Sequence, residues 1–218
     1  LLSPTVIVQY LLRAVVVLIT IPFHESAHAL ASHLLGDDTA VCAGRLSMNP
    51  LRHFDPLGAL CMLVGGVGWA KPVSINPYNY KNPKVGMALS AAAGPASNLL
   101  LAWVSMILYK LCWYSGLGDA VPVLTMFLYY MVAMNLSLAV FNLLPVPPLD
   151  GAKILDAVLP LSFQMKMHKY EKYFYVALIL LLYLGFLQIP LNFMGDLLFS
   201  GLNWATAPVD LLLQMIGG

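Results

Sequence analysis

Apolar residues dominate the chain in long stretches that charged residues punctuate. Val85 to Tyr109 runs for 25 residues without Asp, Glu, Lys or Arg, Ala120 to Leu149 for 30 and Tyr173 to Gly195 for 23. A helix needs about 20 such residues to cross the ~30 Å hydrocarbon core of a bilayer. Each run is therefore expected to be a membrane segment. Prolines fall inside all three, at Pro95 in the first, at Pro145, Pro147 and Pro148 near the end of the second and at Pro190 in the third. Leu197 to Val209 is 13 residues, too short to count as a span by itself. The first segment, Pro4 to Leu35, carries Arg13, His24, Glu25, His28 and His33. Its apolar run continues into ionisable residues rather than a small-residue cleavage site, so a signal peptide does not fit. Because the chain opens on Leu1, a trimmed N-terminus is expected. Pro56 to Ala70 is 15 charge-free residues with four glycines, which predicts a short re-entrant or interfacial piece. The fold class that follows is an all-α integral membrane protein. It would be a polytopic bundle of about four to six membrane segments, forming one domain with its core over residues 4–155 and further segments over 170–214.

Composition agrees. Of the 218 residues, 60% are hydrophobic and 10% charged, too few charges to cover a soluble domain. A formal net charge of +1 provides no basic patch to neutralise phosphates, so nucleic acid is not expected as a partner. Cys42, Cys61 and Cys112 form no C-x-x-C pair and read as small apolar residues. Nine of the 11 basic residues lie in two loops, residues 45–84 and 153–172. Both loops are expected to be cytoplasmic by the positive-inside rule. Lys166 to Lys172 reads as a juxtamembrane charge run at anionic headgroups.

The chemistry concentrates in H-E-S-A-H, His24 to His28. Residues four apart share a helix face about 6 Å apart, so two imidazoles can bind one zinc ion. Glu25 is rotated by about 100° and reaches a water beside the metal. A chance H-E-x-x-H is expected on the order of once in a thousand chains with five His and two Glu. Ionisable residues at membrane depth are costly enough to mark function. A catalytic zinc needs a third protein ligand. His33, rotated by about 140° from His28, is a poor candidate. Asp150 follows a proline-broken helix end, and it reads equally well as that third ligand or as the N-cap of a helix starting at Gly151.

Taken together these residues resemble the site-2 protease family of intramembrane zinc metalloproteases, in its compact prokaryotic branch without PDZ or CBS domains. The resemblance runs from Phe23 to Leu155. Besides H-E-S-A-H it covers G-R-L-S-M-N-P-L-R-H-F-D-P-L-G at Gly44–Gly58, G-W-A-K-P-V at Gly68–Val73, A-A-G-P-A-S-N at Ala92–Asn98 and the stretch Asn142–Gly151. It implies one zinc ion on His24, His28 and Asp150, with Glu25 as general base and Asn142 near the substrate carbonyl. The substrate implied is a transmembrane protein, either a membrane-tethered regulator or a signal-peptide remnant, cut within the bilayer of the cell membrane with the active site toward the cytoplasm. Asn98 reads either as a bond to the active-site helix or as a plain interhelical contact. His53 and Asp55 read as a hydrogen-bonded turn before a second metal site. The rival class is a non-catalytic metal-binding scaffold or a transporter. Against the transporter, the second and fourth apolar runs are charge-free. Against a degenerate scaffold, all four chemical residues are present.

Overall fold

The computed structural model describes residues 3–55, 70–116 and 120–217. Among them the regular elements are helical, apart from an isolated antiparallel bridge between Phe54 and Ala70. The helices are α1 (Pro4–Leu34), α2 (Thr39–Cys42), α3 (Pro50–His53), α4 (Pro83–Tyr114), α5 (Pro122–Asn142), α6 (Asp150–Asp156), α7 (Leu161–Lys169), α8 (Glu171–Tyr183), α9 (Gln188–Ala205) and α10 (Ala207–Gly217). Helices α1, α4 and α5 are each long and apolar enough to cross a membrane. The protein is an all-α membrane protein. The expected re-entrant piece at 56–70 lies, except for Ala70, outside the described residues.

The fourth apolar run differs from its expectation. It is two helices, α8 and α9, bent by 83° at a short break. Gly185 takes a left-handed φ of 78°. Its N–H bonds the Leu182 carbonyl at 3.1 Å, and the Phe186 N–H bonds the Leu181 carbonyl at 3.0 Å. This is a glycine-dependent helix stop. Pro190 falls in the first turn of α9, where its missing N–H costs no helical bond. Charge counting finds the apolar run but not the stop within it. Leu197, expected to open a separate short stretch, lies inside α9.

Two compact units divide the described residues. The first comprises 1–20, 98–141 and 181–218. Its apolar core is Ala102 and Met106 of α4 against Val132 and Leu136 of α5, with Leu198 and Leu202 of α9 packed on it. Some of the buried polar groups in this unit find partners within it. Asn135 donates to Thr20 Oγ1 at 3.1 Å and to the Met131 carbonyl at 2.8 Å. Lys110, 7% exposed, pairs with Asp210 of α10. Arg13 lies 5.0 Å from the centre of the Tyr130 ring, a cation–π contact.

The second unit comprises 21–97 and 142–180. Here α1 stops at Gly36, φ 103°, with the Asp37 N–H bonded to the Ser32 carbonyl at 3.0 Å and the Gly36 N–H to His33 at 3.0 Å. The glycine thus serves as the C-cap of α1. Asp37 is fully buried. Its carboxylate accepts from Ser32 Oγ, from Thr39 N and Oγ1, from Asn76 N and from Asn79 Nδ2. Burial pushes this carboxyl's pKa up, but the Thr39, Asn76 and Asn79 hydrogen bonds outweigh it and hold the pKa below the usual carboxylate range. Asp37 therefore ties the end of α1 to the segment leading into α4.

Candidate metal centre

On α1, Val16, Thr20, His24, His28 and Ser32 are all buried, at four-residue spacing. Polar side chains on that stripe face protein rather than lipid, as their cost at membrane depth requires. His24 and His28 are each 6% exposed. Their Nε2 atoms lie 3.0 Å apart, with the rings edge to face.

Asp150 joins them. Residues 143–149 leave helical geometry through the three prolines, and α6 begins at Asp150 itself. Leu149 occupies the N-cap and makes no side-chain cap bond. The Asp150 carboxylate does not cap the helix. Its Oδ2 lies 3.3 Å from His24 Nε2 and 3.1 Å from His28 Nε2, and its Oδ1 accepts from Lys153 Nζ at 3.1 Å. Of the two readings left open, the geometry matches the ligand and not the cap. Gly151 makes the approach possible, because a Cβ there would meet the Leu143 and Leu144 carbonyl oxygens at 2.3 and 2.4 Å.

Among the described residues, His24, His28 and Asp150 are the group of three whose donor atoms could hold a metal ion. The donor chemistry favours a cation there. His28 Nδ1 lies 2.7 Å from the Ser90 carbonyl. A carbonyl only accepts, so Nδ1 carries hydrogen and a neutral His28 presents a lone pair at Nε2. That lone pair faces His24 Nε2 and a carboxylate oxygen. A single proton bridges one such pair, whereas a divalent ion serves all three.

Sequence reasoning placed the second membrane helix but missed how it closes this site. Gly86, Ser90 and Gly94 stand at four-residue spacing on α4, and all are buried. A Cβ on Gly94 would meet His28 Cε1 and Nε2 at 2.4 Å and His24 Cε1 at 2.6 Å. A Cβ on Gly86 would meet the Tyr80 ring at 2.3 Å. Small residues let helices approach closely in membranes, and that spacing inside an apolar run was the available signal.

The other candidates fall elsewhere. Glu25, half-buried on α1, is not a member of the converging group. His33 is exposed and pairs with Asp38. His53 is fully buried, with Nε2 bonding the Ser47 carbonyl at 2.7 Å, and Ser26 Oγ donates to the same carbonyl at 2.8 Å. This is the expected hydrogen-bonded turn, and it is fastened to α1 between the two histidines. Asn142 ends α5 and is half-buried. Asn98 is fully buried on α4, and neither amide atom has a hydrogen-bond partner among the described residues.

Comparison with known proteins agrees with this picture. The model of Peptidase family M50 matches residues 114–185. A Bacillus subtilis protein named "Putative zinc metalloprotease YwhC" is 38% identical over 181 residues, 82% of this chain and 82% of that protein. A Mycolicibacterium smegmatis protein, Rip2, named in the same words, is 26% identical over 76% of this chain and 64% of its own length. A Methanocaldococcus jannaschii protein, MJ0611, again so named, is 35% identical over 45% of this chain and 49% of its own. No solved structure matches. The B. subtilis relative, at that identity over most of both chains, decides the assignment: this chain belongs to peptidase family M50.

Proposed function

We propose that the protein is an intramembrane zinc metalloprotease that hydrolyses peptide bonds within transmembrane segments of membrane-tethered proteins. The observation that carries this reading is the convergence of His24, His28 and Asp150, two of them on a membrane-spanning helix. Zinc fits the donor set. Bonds of about 2.0–2.2 Å in tetrahedral geometry separate ligand atoms by about 3.3–3.6 Å, and the three donors lie 3.0, 3.1 and 3.3 Å apart, at the short end of that spacing or a few tenths of an ångström inside it. Three protein ligands leave the fourth position for chemistry.

Bound zinc would supply a Lewis acid that polarises the scissile carbonyl and lowers the pKa of water from 15.7 toward about 7. Glu25 would take a proton from the attacking water and deliver it to the leaving amine nitrogen. Such general-base assistance is worth about 10²–10⁴ in rate. Asn142 would donate its amide N–H to the carbonyl oxygen as charge develops there. Asn98, with an amide that makes no bond among the described residues, would bind the substrate chain. A helical substrate protects its amides by its own hydrogen bonds, so it must unwind locally before attack. The cell membrane, with the site toward the cytoplasm, follows from the basic loops.

Comparative proteomics of membranes carrying wild type or Glu25→Gln tests this. Full-length single-span proteins should accumulate with Glu25→Gln, and their membrane-cut fragments should appear only with wild type. Identical fragment sets would refute the activity.

A further inference from the structure

A buried chain of hydroxyls lies behind His28. Ser32 Oγ lies 2.9 Å from Asp37 Oδ2 and 2.9 Å from the Tyr80 hydroxyl. The Tyr80 hydroxyl lies 2.8 Å from Ser90 Oγ. Ser90 then returns to the metal centre through its own carbonyl, 2.7 Å from His28 Nδ1. Ser32, Asp37 and Ser90 are fully buried, and Tyr80 is 5% exposed. The Tyr80 hydroxyl is thus the bridge between Ser32 on α1 and Ser90 on α4. Ser32 is one turn beyond His28, and Ser90 is the residue that bonds His28. Gly86 leaves room for the tyrosine ring, and Gly94 leaves room for both imidazoles.

We infer that Tyr80 is a positioning residue for the metal centre. Its hydroxyl locks α1 and α4 in the register that sets the Ser90 carbonyl against His28 Nδ1, and so keeps Nε2 unprotonated and aimed at the ion. This rests on the zinc reading above. The physical basis is general: the partner of a ligating histidine's second nitrogen fixes its tautomer and orientation, and losing that partner typically costs 10–100-fold in metal affinity. The hydroxyl chain is satisfied at every link. Deleting the central hydroxyl leaves the buried Ser32 and Ser90 without a shared partner, free to shift.

The test is metal titration of the full-length protein in detergent, stripped of metal and refilled with zinc against a chelator of known affinity. Co²⁺ uptake, read by its visible spectrum, gives a second measure. Tyr80→Phe should weaken zinc binding about 10-fold or more and change the cobalt spectrum, while the metal-free protein keeps its thermal midpoint. Ser32→Ala with Tyr80→Phe should cost no more than the larger single effect, because both break one chain. Asp210→Asn, which breaks the Lys110 pair in the other unit, should leave zinc affinity unchanged. If Tyr80→Phe does not fold, Ser90→Ala carries the same expectation, since it removes one hydroxyl and keeps the carbonyl. Wild-type affinity in Tyr80→Phe, or in Ser90→Ala where that replaces it, overturns the inference alone. So does an equal loss in Asp210→Asn. Failure of the wild type itself to take up zinc removes the underlying reading and this inference with it.

Discussion

Gly94 and His28 pack so closely that a single methyl group cannot be placed between them. A Cβ on Gly94 would sit 2.4 Å from two atoms of the His28 ring, well inside van der Waals contact. Around the imidazoles the site therefore rests on two helices, α1 supplying the rings and α4 the space they occupy, while α6 brings Asp150.

Gly94→Ala should displace both histidines, because the same Cβ would also lie 2.6 Å from His24. Overpacking of this kind costs about 1–3 kcal/mol. Here it acts directly on the metal-binding atoms. We expect purified Gly94→Ala to retain helical circular dichroism but lose most of its zinc. Full zinc content by elemental analysis would show that the rings can move aside.

The ligand assignment has its own signature. His24→Ala, His28→Ala and Asp150→Ala should each greatly reduce bound zinc, while Glu25→Gln should retain it, since Glu25 stands outside the converging group. Mass-spectrometric metal analysis distinguishes the four variants. Undiminished zinc in Asp150→Ala would remove Asp150 from the site.

Lys153 offers a graded test. It holds Asp150 Oδ1 at 3.1 Å, which leaves Oδ2 to the histidines, but its side chain is 40% exposed. Pairs screened by solvent contribute about 0–1 kcal/mol. Lys153→Met should therefore weaken zinc binding by no more than about fivefold. A loss as large as that of Asp150→Ala would make Lys153 essential to the carboxylate's placement.

Asp37 predicts a pH dependence. Its carboxyl is held below its ordinary pKa, by hydrogen bonds that outweigh the effect of burial. A group so depressed stabilises the fold fully above its unfolded value of about 3.9, and that stability is lost as pH falls below it toward the folded value. Thermal midpoints of wild type should drop as pH is lowered from about 5 to about 3. Asp37→Asn should start at a lower midpoint, since the broken bonds cost about 1–3 kcal/mol of stability, and fall less steeply over the same window. Parallel curves would deny Asp37 this role.

Much of the site was legible because its signals are local. His24 and His28 share a helix face by spacing alone, and the apolar runs located α1, α4 and α5. Asp150 was undecided from its surroundings, since an Asp after a proline break serves equally as cap or ligand. Only the turn of 143–149, with the tight fit of Gly151 against the Leu143 and Leu144 carbonyls, shows where its carboxylate goes. Ser90, Gly94 and Tyr80 were missed for a different reason. Their roles depend on which part of α4 lies beside His28, a relationship of residues 62 apart in sequence, and small residues in an apolar run do not name their neighbour. The bend at Gly185 escaped because hydropathy averages over a single backbone conformation.

The most direct measurement is cleavage of a single-span substrate by the protein reconstituted in micelles, with product termini mapped by mass spectrometry. The account predicts cuts inside the substrate's membrane span, nearer its cytoplasmic end. They should be abolished by a zinc chelator, reduced about 10²-fold or more in Glu25→Gln, and sped by helix-breaking residues near the cut. Cuts confined to soluble loops, or cleavage undiminished in Glu25→Gln, would contradict it.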